Sequence, residues 1–255
     1  MIKINNLSLS LKNSELLKNL NFRFNEGEII GLIGTAGAGK TLLLQILSGY
    51  IKKYSGEILL FDKPLNEFKK KKFNQTISCS SKKTCTNPDE TVFNFLLYSR
   101  IPFKKFLNPY SEYDIQITED YITQFELQRY RERKILSLSD DILKRVILAY
   151  SFIRSAKVLL LDNPTNDLNI HSISLLKKCL CKYVMNGDKI SIIASNDINF
   201  ITQTVDKFFL IDGGELVIEG NPEIIDSKLI KKYFHTEVLV SRNIYNGKPE
   251  IHLYN

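Results

Sequence analysis

The chain opens on alternation. Apolar residues fall largely at every second position through "IKINNLSLSL" (2–11) and "LKNLNFRF" (17–24), which predicts an antiparallel pair of half-buried strands. "EIIGLIG" (28–34) is almost wholly apolar, as a strand buried on both faces must be. The period then changes: "KTLLLQILSGY" (40–50) has helical spacing and closes on Gly49, and a further strand, "GEILLF" (56–61), follows.

From 83 to 155 the segments are mostly helical, with Pro88, Pro102 and Pro109 in the connections. Strands return as "KVLLLD" (157–162), "KISIIAS" (189–195) and "KFFLID" (207–212), with helical "SISLLKKCLCKYV" (172–184) between the first two, the rhythm of a parallel sheet. "FFLIDGGELVIEG" (208–220) is a hairpin about Gly213 and Gly214. The expected fold is α/β: a parallel-sheet core over 1–82 and 156–235, with an N-terminal antiparallel β subdomain. An α-helical subdomain is inserted over 83–155, and a β tail covers 236–255.

At 255 residues and 44% apolar content the chain buries one sizeable core and is not disordered. No apolar stretch approaches the roughly 20 residues that span a bilayer, and "MIKINNLSLS" lacks the features of a signal peptide, so a cytosolic chain is expected. Cys79, Cys85, Cys179 and Cys181 show no CxxC spacing and the three histidines are dispersed, which predicts reduced thiols and no zinc site. The net charge of +7 comes mostly from lysine, as at 69–72. Without interleaved aromatics it reads as a solvated face, not a nucleic-acid surface.

"GTAGAGKT" (34–41) fits GxxxxGKS/T between a strand and a helix. Phosphate binding needs several backbone N–H groups converging on one anion, and Gly34, Gly37 and Gly39 let the backbone close in, with Thr35, Ala36 and Ala38 between them. Lys40 supplies a point charge, Thr41 a hydroxyl for Mg²⁺, and the helix its positive end. The chain is therefore expected to bind a nucleoside triphosphate. "VLLLD" then delivers Asp162 to the edge of a neighbouring strand, where a carboxylate can hold a water ligand of that Mg²⁺.

With both motifs placed, the chain resembles the ATP-binding subunits of ABC transporters from end to end. The resemblance rests on "LSLSLKN…FDKPL" (7–65), on "LSDDILKRVILAYSFIRSAKVLLLDNPTNDLN" (138–169), and on "SIIASND" (191–197). "SRIPF" (99–103) and the tail from "EGNPEIIDSK" (219–228) onward look like the branch that imports iron-siderophores, haem or cobalamin. The resemblance implies a P-loop NTPase core of RecA type that binds ATP and Mg²⁺, peripheral on the cytoplasmic face of the cell membrane. It implies separate permease subunits, a solute-binding protein, and a second ATP-binding subunit, in a homodimer or heterodimer. Each ATP then lies between the phosphate loop of one chain and the signature of the other, where Ser139 belongs.

Departures from the family pattern gather at the γ phosphate. Asn163 stands at the position of the glutamate that activates water, and an amide cannot accept that proton; a positioned base contributes about 10² to 10⁴ in rate. Asn196 replaces the switch histidine, Asn169 the aspartate closing the D-loop, and Lys82 the Q-loop glutamine, with Ser81 the alternative register. Leu11 falls near the aromatic that stacks on adenine. "LSDDI" (138–142) replaces LSGGQ: Ser139 is expected to cap the helix, while Asp140 and Asp141 are expected to face the partner's polyanion. Two expectations follow. One is a motor subunit coupling Mg·ATP hydrolysis to import; the other is a nucleotide-binding structural or regulatory subunit, docked on a permease, that hydrolyses slowly or not at all.

Overall fold

A computed structural model describes residues 1–12, 14–80, 89–104 and 109–254. Strands β1 (Ile2–Leu11) and β2 (Ser14–Phe24) pair antiparallel as their alternation requires, burying Ile2, Ile4, Leu7 and Leu9 against Leu17, Leu20, Phe22 and Phe24. The uninterrupted apolar run becomes β3 (Ile29–Ile33), buried throughout. Helix α1 (Lys40–Leu47) follows the glycine-rich loop, and β4 (Ser55–Leu60) and the short β5 (Lys63–Pro64) complete a four-stranded sheet ordered β2-β1-β4-β5.

The hydrophobic pattern does not predict every element, and the next two are among those it leaves out. Helix α2 (Lys70–Thr76) begins in the lysine run, and β6 (Ile77–Ser80) extends the main sheet; its "ISCS" is too short and too polar to read as a buried strand. Helices α3 (Val92–Tyr98), α4 (Glu112–Gln124) and α5 (Asp140–Ile153) then form the helical layer. The chain returns to the sheet with β7 (Val158–Asp162), α6 (Ile170–Val184), β8 (Ile190–Ala194), α7 (Ile198–Thr204), β9 (Lys207–Asp212) and β10 (Glu215–Gly220). β9 and β10 meet through Gly213 and Gly214, whose positive φ angles of 51° and 85° suit a tight hairpin turn. Helix α8 (Ser227–Phe234) and a separate hairpin of β11 (Val238–Arg242) and β12 (Pro249–Leu253) end the described chain.

The main sheet is ordered β10-β9-β3-β8-β7-β6, parallel except for β10. Alternate residues of its inner strands feed two cores. Ile30, Leu32 and Leu160 pack with β1, β2 and α1, whereas Ile33, Leu159 and Leu161 pack with Phe125, Phe152 and the helical layer. β8 lies between β3 and β7, so the loops leaving these three strands emerge side by side at one sheet edge, the place where open α/β sheets bind ligands. Among the described residues Cys79, Cys179 and Cys181 are free thiols; burial pushes the pKa of Cys79 up to about 11 and that of Cys179 to about 12. Cys85 lies outside the described residues.

Candidate functional site

The phosphate loop leaves β3 through a turn that only glycine fits. Gly34 has φ +148°, and a Cβ there would lie 2.1 Å from the Ile211 carbonyl oxygen of β9. Gly39, at φ +108°, precedes α1 with its missing Cβ in the space of Leu17 Cδ2, at 2.4 Å. The loop is thus seated between β9 and β2. Gly37, at φ +83°, has open space where its Cβ would be. A cavity of about 250 Å³ lies here, lined by residues 36–42 together with Asn163 and Asn196. Gly34 and Thr35 do not line it. Instead their carbonyls accept from Lys40 Nζ at 2.6 and 2.9 Å, which folds the side chain back along the loop. Lys40 is only 6% exposed, and burial lowers its pKa from the ordinary 10.5 while the Asp162 carboxylate opposes the shift.

β7 and β8 build the opposite wall. Asp162, the last residue of β7, accepts from the Thr41 hydroxyl at 3.2 Å (Oδ1) and 3.0 Å (Oδ2), across 121 residues of sequence. Asn163 turns at φ +42°, with its N–H bonded to the Ala194 carbonyl at 2.8 Å. Its side chain bridges two neighbours: Nδ2 donates to Asp162 Oδ1 at 3.1 Å, and Oδ1 accepts from the Asn196 N–H at 3.2 Å. The structure therefore brings the loop, Asp162, Asn163 and Asn196 together. Lys82 and its alternative Ser81 lie outside the described residues. Leu11, at the end of β1, is 52% exposed.

Two expectations about the signature need correction. Ser139 occupies the N-cap position of α5, but its hydroxyl makes no capping hydrogen bond; first-turn Asp140 and Asp141 carry the negative charge there. Nor do both carboxylates face outward. Asp141 turns into its own chain, accepting from Asn169 N–H at 2.9 Å and Ser172 Oγ at 3.1 Å and pairing with Arg145 Nε at 3.2 Å. Asp140 stays exposed. Asn169 itself caps α6, accepting from Ser172 N–H at 2.9 Å. Sequence reasoning also missed Lys144, buried in α5, whose Nζ donates to the Asn163 carbonyl at 3.0 Å. Its only signal is a spacing of three from Asp141.

The donor set suits a triphosphate carrying a hard cation. The loop offers glycine-relieved backbone and a buried ammonium beside the start of α1, and Thr41 with Asp162 offers adjacent oxygen donors. Among the described residues no group of three His, Cys, Asp or Glu could hold a metal ion. Mg²⁺ accepts such a sparse site, because it keeps waters and draws other ligands from phosphates.

A family model described as "ABC transporter" matches residues 17–166. The hemin import ATP-binding protein HmuV of Escherichia coli O157:H7 is 27% identical over 98% of this chain and 98% of its own. The petrobactin import ATP-binding protein FpuD of Bacillus anthracis is 25% identical over 95% and 89%. Among solved structures, cbiO1 of Clostridium perfringens, part of the ABC transporter complex cbiONQ, superposes with a TM-score of 0.75 at 23% identity, covering 91% and 93%. A dimeric ATP-binding cassette in a post-hydrolysis state, bound to ADP and Pi, does so with a TM-score of 0.73 at 22% identity, covering 87% and 98%.

Proposed function

The chain belongs to the ABC transporter family, and from that premise we propose that it is a Mg·ATP-binding subunit that docks on separate membrane permeases and hydrolyses ATP slowly or not at all. The bridging amide of Asn163 carries this reading. A water attacking a γ phosphate needs an acceptor for its proton, and the side chain that follows Asp162 is a neutral amide already bonded on both sides. Loss of the base removes about 10² to 10⁴ in rate, or roughly 3 to 5.5 kcal/mol of barrier. The phosphate side of the site departs from the family pattern far less: Lys40, the loop backbone and Thr41 would hold the phosphates, and Thr41 with Asp162 would hold Mg²⁺ directly or through water. When bound, Mg²⁺ supplies charge neutralisation between the phosphates.

Membership of the family supports a role at the cytoplasmic face of a membrane. Among the described residues no helix is long and apolar enough to cross a membrane, so attachment would run through permease subunits. Relatives named for hemin and petrobactin import favour an iron-chelate or haem-like solute, delivered by a solute-binding protein. Binding and chemistry separate in one experiment on the purified chain: calorimetric Mg·ATP affinity beside single-turnover hydrolysis. Micromolar binding with turnover well below one per minute is expected. Turnover near one per second would identify a motor subunit and sink the proposal.

A further inference from the structure

One face of α5 holds both ends of the segment that follows β7. Lys144 Nζ donates to the Asn163 carbonyl at 3.0 Å, and Asp141 Oδ1 accepts from the Asn169 N–H at 2.9 Å. A spacing of three places the two side chains on the same side of the helix. Between these grips the backbone takes two left-handed residues, Asn163 at φ +42° and Asp167 at φ +66°, a conformation that non-glycine residues keep only when their surroundings hold it. The grips are themselves held. Asp141 Oδ2 accepts from the Ser172 hydroxyl at 3.1 Å and lies in an ion pair 3.2 Å from Arg145 Nε, while Arg145 Nη1 is fixed on the Phe125 carbonyl at 3.0 Å.

The linkage reaches the cavity through Asn163, whose amide bonds to Asp162 and to the Asn196 N–H, and Asp162 in turn accepts from Thr41. The phosphate loop has different supports, on β9 at Gly34 and on β2 at Gly39. The two walls of the site are thus referred to different parts of the molecule.

We propose that Asp141 and Lys144 are positioning residues that clamp the 163–169 segment to the helical layer, so that the placement of α5 sets the metal side of the nucleotide site. The clamp transmits a shift of α5 to Asp162 and Asn163 while leaving the loop's hold on phosphate unchanged. Its ligand consequences rest on the Mg·ATP reading, but its structural content does not.

The test uses the full chain and two readouts: hydrogen exchange at the Asn169 amide, and affinity for ATP with and without Mg²⁺. Asp141→Ala should speed Asn169 exchange by about tenfold or more, because that amide loses its acceptor. Asp141→Asn keeps an oxygen acceptor and should exchange within about threefold of native, so the proposal stays testable if the alanine variant fails to fold. Lys144→Met should weaken Mg·ATP about tenfold more than metal-free ATP, Lys144→Arg should recover most of that loss, and Asp141→Ala with Lys144→Met should be strongly non-additive. Native protection of Asn169 in Asp141→Ala would overturn the clamp, as would equal loss with and without Mg²⁺, or multiplying effects in the double variant. If the native chain binds no Mg·ATP, the functional reading fails and the Asn169 exchange alone decides the clamp.

Discussion

Asn163 donates through Nδ2 to Asp162 and accepts through Oδ1 from the Asn196 N–H, two bonds of opposite polarity that a carboxylate could not make together. Changing it to glutamate would restore a proton acceptor on paper. It would also set a second carboxylate beside Asp162, where like charges about 4 Å apart repel by about 4 kcal/mol at an effective dielectric near 20, and by less with solvent screening. The family carries a glutamate at this position, so the charge alone does not bar a base there; what would remain substituted are Asn196 and the LSDDI signature, and a base restored without the family's residues at those positions should recover little. Asn163→Glu is expected to raise single-turnover hydrolysis less than tenfold, against the roughly 10² to 10⁴ of a placed base, and to weaken metal-free ATP binding. A stopped-flow phosphate assay with paired calorimetry decides it: a gain of a hundredfold or more would show that the missing base is the sole defect.

Among the elements, the helical layer is knotted at Arg100, which lies 4% exposed just beyond α3. Its Nε donates to Asp114 Oδ1 at 2.7 Å, and its Nη1 reaches the carbonyls of Ile153 and Arg154 at 3.2 and 3.1 Å, at the negative end of α5. Asp114 also closes a capping box with Ser111 at the start of α4, so one ion pair ties three helices. Burial alone would raise the Asp114 pKa, but the hydrogen bonds from Ser111 and Arg100 outweigh it and hold the carboxyl below its ordinary 3.8. A carboxyl depressed in the folded state stabilises above its unfolded pKa, and that stability is lost as pH falls through the folded value. Asp114→Asn leaves a buried guanidinium unpaired and should cost about 3 to 5 kcal/mol at pH 7. Urea melts at pH 7 and below about pH 4 should show the gap between native and variant narrowing on acidification; a constant gap would mean that the pair contributes packing alone.

Local signals were legible at this scale and tertiary ones were not. The glycines and Lys40 of the loop sit within eight consecutive residues, and Asp162 ends an apolar run, so chemistry and placement could be read together. β6 was hidden because pairing with its one neighbour, β7, holds in the sheet a four-residue segment with few apolar residues of its own. Asp141 was legible as a first-turn carboxylate, but its partner lies 28 residues away in a segment whose course depends on β7 and β8. Hence the direction of its side chain came out wrong while its position came out right.

For the molecule as a whole, the exposed charge at the start of α5 yields a prediction about how two copies meet. Two family members that share ATP would bring this helix start toward the triphosphate of the other chain. Asp141 is neutralised inside its own chain, so the repulsion falls on Asp140. One carboxylate about 5 Å from one phosphate charge costs on the order of 3 kcal/mol at an effective dielectric near 20, roughly two decades of dimer affinity. A cassette with the loop and Asp162 intact should therefore bind Mg·ATP as a monomer at about 10 μM protein. The same cassette with Asp140→Gly should shift toward dimer at that concentration, because the substitution removes the charge and leaves the Asp141 contacts in place. Sedimentation velocity with and without Mg·ATP reads both outcomes. A nucleotide-driven dimer of the native chain would show that α5 does not approach the partner's phosphates in the way its charge forbids, and that the two copies join through another face.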